Sequence, residues 1–413
     1  MSSTHPPEFK QPHRPPAFSG DLLRNRQDFS LVLGGPLFQL LRRAHLSDDA
    51  LLLVRQRIIF LSLVAWLPLL LLSAIEGSLL GNGGKVPFLW DIEVHLRFLV
   101  AVPLLVAAEP VVHQRLHGIA QSFLERNLIP EAAIAQFDGA IGAAFRLRNS
   151  VLAEALLVAL VYGIGVVVVW RHYTALQAAT WYATPSGGNS RLSLAGIWYG
   201  YISLPLFQFL LIRWYFRLFI WMRFLWQVSR IKLSLIPTHP DRVGGLGFLA
   251  NTVYAFALLL AAHGVMAAAN LANRIFFLGA ALPEFKTEIG AMAVFLLAVV
   301  FGPLLVFAPQ LAQAKRQGLN EYGTLAERYV REFDGKWLRG GAPADEPFVG
   351  SADIQSLADL ANSFEVVREM RFAPITRDAI VRLAAAVFIP IVPLALTMMP
   401  LEELLKYVFG LLF

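Results

Sequence analysis

The sequence predicts an all-α, polytopic membrane protein with about seven transmembrane helices and amphipathic helices on the cytoplasmic side. Three observations carry this. The chain is 56% hydrophobic and only 15% charged, whereas soluble domains average about 25% charged residues. Its apolar runs recur at the roughly 20-residue length that crosses a hydrocarbon core. Its basic residues are distributed unequally between alternate connections. With no cysteine there is no disulfide, thiolate metal site or thiol nucleophile. The net charge of +6 is that of positive-inside loops and gives no reason to expect a nucleic-acid partner.

Residues 1–30 are polar and Pro-rich, with no early apolar run, so they read as a disordered cytoplasmic tail without a cleavable signal. Residues 36–56 follow as a short amphipathic helix, making 1–56 the N-terminal unit. Spans are expected at 58–80, 97–113, 151–171, 195–213, 252–273, 289–312 and 380–399. The first six form a membrane unit over 57–312. It includes cytoplasmic helices in 114–149, broken at Pro130, and an interfacial segment at 213–250. A cytoplasmic helical piece covers 313–377, with Ser351 as N-cap of a helix whose apolar face is Ile354, Leu357, Leu360, Phe364 and Val367. At about 65 residues it is small for a domain folding alone, so docking on the bundle or on a neighbouring subunit is expected. Residues 378–413 hold the last span and a C-terminal interfacial helix. With the N-terminus inside, 27 Lys and Arg fall on the cytoplasmic side and five opposite.

The most distinctive stretch is Arg213 to Asn251. Arg213, Arg217, Arg223, Gln227 and Arg230 share one side of a helix whose remainder is rich in Trp and Phe, the composition of a membrane–water boundary. This predicts a span that emerges and then lies along the interface until Pro237 stops it. The loop THPDRVGG follows. His239, Asp241, Arg242, Gly244 and Gly245 are its candidate ligand-binding residues. A histidine titrates near neutrality, the glycines allow left-handed backbone, and a helix start near Leu246 offers free amides to an anion. The bland alternative is a tight turn with Asp241 as cap and Arg242 as interface anchor.

Ionisable or polar groups inside spans are costly and worth following. They are Glu76, Glu109, Glu154 and His263, with Asn270, Asn273 and Arg274 near an outer end. Glu154 and His263 are a possible proton-relay pair, against a plain helix-packing contact. Glu109, His113 and His117 share a stripe at i, i+4 and i+8, a weak metal set because Pro110 interrupts it. The expectation is no metal and no cofactor. No phosphate-binding GxxxxGKS, nucleophile elbow or HExxH occurs, so an enzyme is unsupported.

PTHPDRVGGLGFL (237–249) and SADIQSLADLANSFEVVREMR (351–371) resemble a group of bacterial multi-span inner-membrane proteins. The resemblance implies a bacterial inner membrane and no particular activity. Three functions stay open: a transport or channel-like protein with an anion-binding cytoplasmic loop; a scaffold or sensor binding a cytosolic partner through 313–377; and an enzyme acting on a lipid headgroup or lipid-linked phosphate. The expected partners are the bilayer with its anionic headgroups, a second copy of the chain, and a cytosolic protein at 313–377.

Overall fold

The computed structural model describes residues 29–36, 39, 53–80, 86–170, 180–186 and 189–398. The tail 1–28, most of the amphipathic helix at 36–56, and the stretch 400–413 lie outside the described residues.

The helices are α1 (Val54–Ile75), α2 (Ile92–Glu125), α3 (Glu131–Arg148), α4 (Val151–Val167), α5 (Leu194–Val228), α6 (Leu246–Leu278), α7 (Leu282–Leu338), α8 (Ala352–Arg368) and α9 (Arg377–Phe388). Strands β1 (Ala183–Ser186) and β2 (Asn189–Leu192) pair antiparallel, Ala183 opposite Leu192, in the 172–194 connection. The fold is therefore all-α, with one small hairpin that composition had not signalled.

Five helices, α1, α2, α5, α6 and α7, are long and apolar enough to cross a membrane. A sixth crossing is available if α3 and α4, bent by 49° at Asn149–Ser150, count as one span. The expected count of seven is not reached among the described residues. The span expected at 380–399 begins as α9 and gives way, at Pro390 and Pro393, to a short tight turn over Val392–Thr397. Proline removes the amide and blocks continuation of a long helix.

Two further expectations change. Residues 29 and 30, assigned to a disordered tail, are buried. Phe29 lies in the core, its ring 4.7 Å from that of Phe224 and 5.9 Å from that of Phe145. Ser30 Oγ accepts from the amides of Val32 and Leu33, the local turn that serine favours. The segment 213–228 is also no separate interfacial helix. It is the second half of α5, with Trp214, Trp221 and Phe224 buried among α2, α3 and the 29–33 segment.

Outward-facing Ile59, Leu63, Leu71, Phe219, Val294 and Phe295 are exposed on the span helices. In water such a surface would be a liability; against lipid it is the expected face. Ser150 caps α4 through the amide of Ala153, and Ser351 caps α8 through that of Asp353. α8 then lies back along α7, with Tyr329 donating to the Asp353 carbonyl at 3.0 Å.

Candidate functional site

α1, α2, α4 and α5 bring charged side chains to one end of the bundle. Arg57 sits in the first turn of α1, Glu109 in the second half of α2, Glu154 in the first turn of α4, and Arg213 and Arg217 in α5. Arg57 pairs with Glu109 Oε2. Arg217 Nη2 donates to Glu109 Oε1 at 2.7 Å. Arg213 Nη1 stands 3.8 Å from the same oxygen, and its Nη2 donates to Glu154 Oε1 at 3.3 Å. Among the described residues three arginines thus face two carboxylates, an excess of one positive charge.

All three guanidinium groups are buried, Arg57 with only 3% of its surface exposed. A buried charge survives only with near-complete compensation. Here compensation is incomplete, because Arg57 Nε has no hydrogen-bond partner among the described residues. Arg57, Glu109 and Arg213 also line a cavity of about 130 Å³ whose other walls are Leu61, Val106, Leu206, Phe209 and Leu210. That volume admits a small anion or a few waters. Gly35, at a φ of +90°, lies against Glu154 and Arg213 and covers the cluster from the N-terminal segment. Its amide donates to Asn149 Oδ1 at 3.0 Å.

The sequence-derived candidates are distributed as follows. Glu109 is the centre of the cluster and Glu154 its edge. The Glu154–His263 relay does not form: Glu154 pairs with Arg213, while His263 Nε2 lies 2.7 Å from the Tyr215 hydroxyl. The Leu259 carbonyl, 2.8 Å from Nδ1, can only accept. Nδ1 therefore carries a proton and donates to that carbonyl. His263 and Asn270 line a second cavity, of about 370 Å³, with Glu93 and Glu288. Glu76 accepts from the amides of Leu194 and Ala195, capping α5. His113 Nδ1 meets Ser30 Oγ at 2.9 Å, and its ring stands edge-on to His117 at 5.5 Å. Glu109 points to its arginines, and no group of three or more potential metal ligands stands together among the described residues.

The 238–245 loop is built around Asp241. Oδ1 accepts from the amides of Val243 (2.9 Å) and Gly245 (3.2 Å), and Oδ2 accepts from Gly247 at 2.7 Å. Partial burial pushes the Asp241 carboxyl up, but these amides and nearby His239 outweigh it and hold it below the usual carboxylate range. His239 Nδ1 lies 3.2 Å from the Asp241 amide and 2.9 Å from Oδ1, so it accepts from the first when neutral and donates to the second when protonated. Arg242 adopts a left-handed φ of +58°, rare outside glycine, and reaches Glu369 at 2.7 Å. Gly244 and Gly245 also have positive φ, 65° and 99°.

This loop meets the second distinctive stretch. Arg371 donates to the carbonyls of Asp241 and Ile375, and its amide donates to the Arg242 carbonyl at 2.7 Å. Met370 packs on Gly244, and Lys315 Nζ donates to the Met370 carbonyl at 2.9 Å. The two stretches with the most distinctive sequence are thus one joint, between the end of α8 and the start of α6.

No family model, curated protein or solved structure matches this chain. The site must therefore be read from its own chemistry.

Glu109, Glu154, Arg213 and Arg217 each stand out in the sequence, but nothing in it joins the two carboxylates to these arginines or to Arg57. In the sequence Arg57 is one of the basic residues before the first span, and Arg213 and Arg217 have the pattern of a membrane–water boundary. The available signal was the stripe itself: Arg213 and Arg217 are one turn apart on α5, a spacing that lets both reach one carboxylate on a facing helix.

Proposed function

We propose that this protein binds a small anion at the Arg57–Arg213–Arg217 cluster and passes it across a bacterial inner membrane. The observation that carries the reading is the buried excess of arginine among the described residues, with the Nε of Arg57 unpartnered among them beside a small cavity. Buried ionisable groups in a membrane domain mark substrate or ion pathways more often than they mark stability.

The anion-binding role expected of the 238–245 loop passes, in this reading, to the cluster. Asp241 already occupies the amides that an anion would need, and Arg242 is engaged by Glu369. The loop acts as the joint that fixes the α8 region against the bundle. Between the cluster and Arg97, about 18 Å along α2, the helix buries Phe98, Ala101, Val102 and Leu105 completely or nearly so. A packed middle favours a carrier that changes conformation over a permanently open pore. The proposed orientation keeps the N-terminus, the loop and the 313–377 piece cytoplasmic, on the Lys and Arg asymmetry.

Proteoliposomes test this. Chloride, phosphate and acetate are offered in turn, and uptake is compared with empty vesicles. One of them should accumulate in an Arg213-dependent manner, with Arg213→Gln slowing it at least tenfold or so at equal protein content, the scale of one lost charge-assisted contact. Wild-type protein that moves none of the three faster than empty vesicles refutes the proposal.

A further inference from the structure

A second polar recess lies where α5 and α7 leave the apolar part of the bundle. It holds about 350 Å³. Arg230, Lys232, Leu235 and Pro237 form one wall; Gln313, Gln317 and Glu321 form the other. The second wall is a single stripe of α7, because Gln310, Gln313, Gln317 and Glu321 are spaced by three, four and four residues. Gln310 locks the walls together: its Nε2 donates to the carbonyls of Ser229 and Ile231, and its Oε1 accepts from the Leu233 amide.

Arg230 and Lys232 are exposed and have no ion-pair partner among the described residues. The one acid of the recess, Glu321, accepts from Gln317 Nε2 at 2.7 Å. The recess therefore carries a net charge of +1 and a wall of amides suited to hydroxyl groups. Its location identifies the source of the ligand. The Arg230 guanidinium lies over the Trp226 ring at 5.0 Å. Trp226 ends a row of exposed apolar side chains, Phe219, Met222 and Trp226, running up α5. A tryptophan at the end of such a row, with an arginine above it, sits at headgroup depth.

We infer that this recess binds the headgroup of an anionic phosphodiester lipid of the phosphatidylglycerol type. The phosphate lies between Arg230 and Lys232, the headgroup hydroxyls on Gln313, Gln317 and Glu321, and an acyl chain along Phe219 and Met222. One net negative charge matches the net charge of the recess; a zwitterionic headgroup leaves a cation uncompensated. The site is separate from the arginine cluster and does not depend on what that cluster binds.

Native mass spectrometry of the full chain in non-ionic detergent tests the assignment, with phosphatidylglycerol, phosphatidylethanolamine and soluble glycerol phosphate titrated separately. The expected result is one phosphatidylglycerol retained per chain in preference to phosphatidylethanolamine. Binding should weaken about 30-fold in Arg230→Gln/Lys232→Gln, from the loss of two interfacial cations. A control pair with the same charge change on exposed α7 positions, Arg316→Gln/Arg328→Gln, should leave it within a few-fold. Equal weakening in the control, no preference between the two lipids, or displacement of the lipid by glycerol phosphate at matching concentration each overturns the inference.

Discussion

Replacing Glu109 by glutamine preserves shape and removes the one carboxylate that, among the described residues, touches all three buried arginines. Arg217 loses its acceptor at 2.7 Å, Arg57 its ion partner, and Arg213 the farther of the two carboxylates that offset it, at 3.8 Å against 3.3 Å for Glu154. The amide also turns an N–H₂ toward a guanidinium. The cluster changes from three cations on two anions to three on one, inside a site where each arginine is more than nine-tenths buried. Breaking a buried pair from one side costs about 3–5 kcal/mol, because the other charge stays buried. Against a total stability of about 5–15 kcal/mol, that is a large loss. Thermal or denaturant unfolding in detergent should show it, together with reduced abundance in membranes. The double variant Glu109→Gln/Arg213→Gln restores the original excess of one charge and should recover a good part of the loss. An exposed pair offers the contrast: Glu365→Gln, facing Arg368 at 2.7 Å near the surface, should change stability by less than about 1 kcal/mol. A Glu109→Gln protein as stable as wild type would falsify the picture of a desolvated cluster, since water would then be supplying the compensation.

Other outcomes follow from the same geometry. In a chain without native cysteine, Gly341→Cys should resist an impermeant thiol reagent in intact spheroplasts; labelling there reverses the orientation. Purified protein should carry no stoichiometric zinc or iron, and metal content that disappears in His113→Ala would restore the Glu109–His113–His117 site. Asp241 has its folded pKa depressed, so its contribution is present above the ordinary carboxylate pKa of about 3.9 and disappears as pH falls through the lower folded value. Protease protection of the 369–375 segment should therefore be flat from about pH 5 to 8 and fall only in stronger acid; Asp241→Asn should lose protection across that whole range. Gly245→Val places a β-branched residue at a φ of +99° with its Cβ 3.2 Å from Leu128 and should lower abundance, while Arg242→Lys, at an exposed pair, should keep both abundance and anion uptake; full loss of uptake in Arg242→Lys would return the anion site to the loop.

The helical membrane class was legible in the sequence because a bilayer leaves the backbone little choice: long apolar runs must satisfy their own amides, and helices do so within each run. Local signals were equally direct. Ser351 caps α8 through its own hydroxyl, and Pro237 and the positive-φ glycines close the loop, since each acts within a few residues of itself. Span count was less secure. Pro390 and Pro393 stand in a run whose hydropathy alone suggests one helix, and hydropathy does not register a missing amide. What only the tertiary structure decided was which helix covers which stripe. Arg213 and Arg217 on one face of α5 are an interface anchor against water or lipid and a charge cluster against Glu109. Glu109 lies over a hundred residues earlier in the chain, on another helix. Periodicity assigns a residue to a face of its own helix and carries no information about the facing one. The same holds for Asp241, whose choice between binding its own amides and leaving them to a ligand depended on how the chain closed from Val243 to Gly247. The energy of a buried charge is set by its partners, and the partners are brought together only by folding.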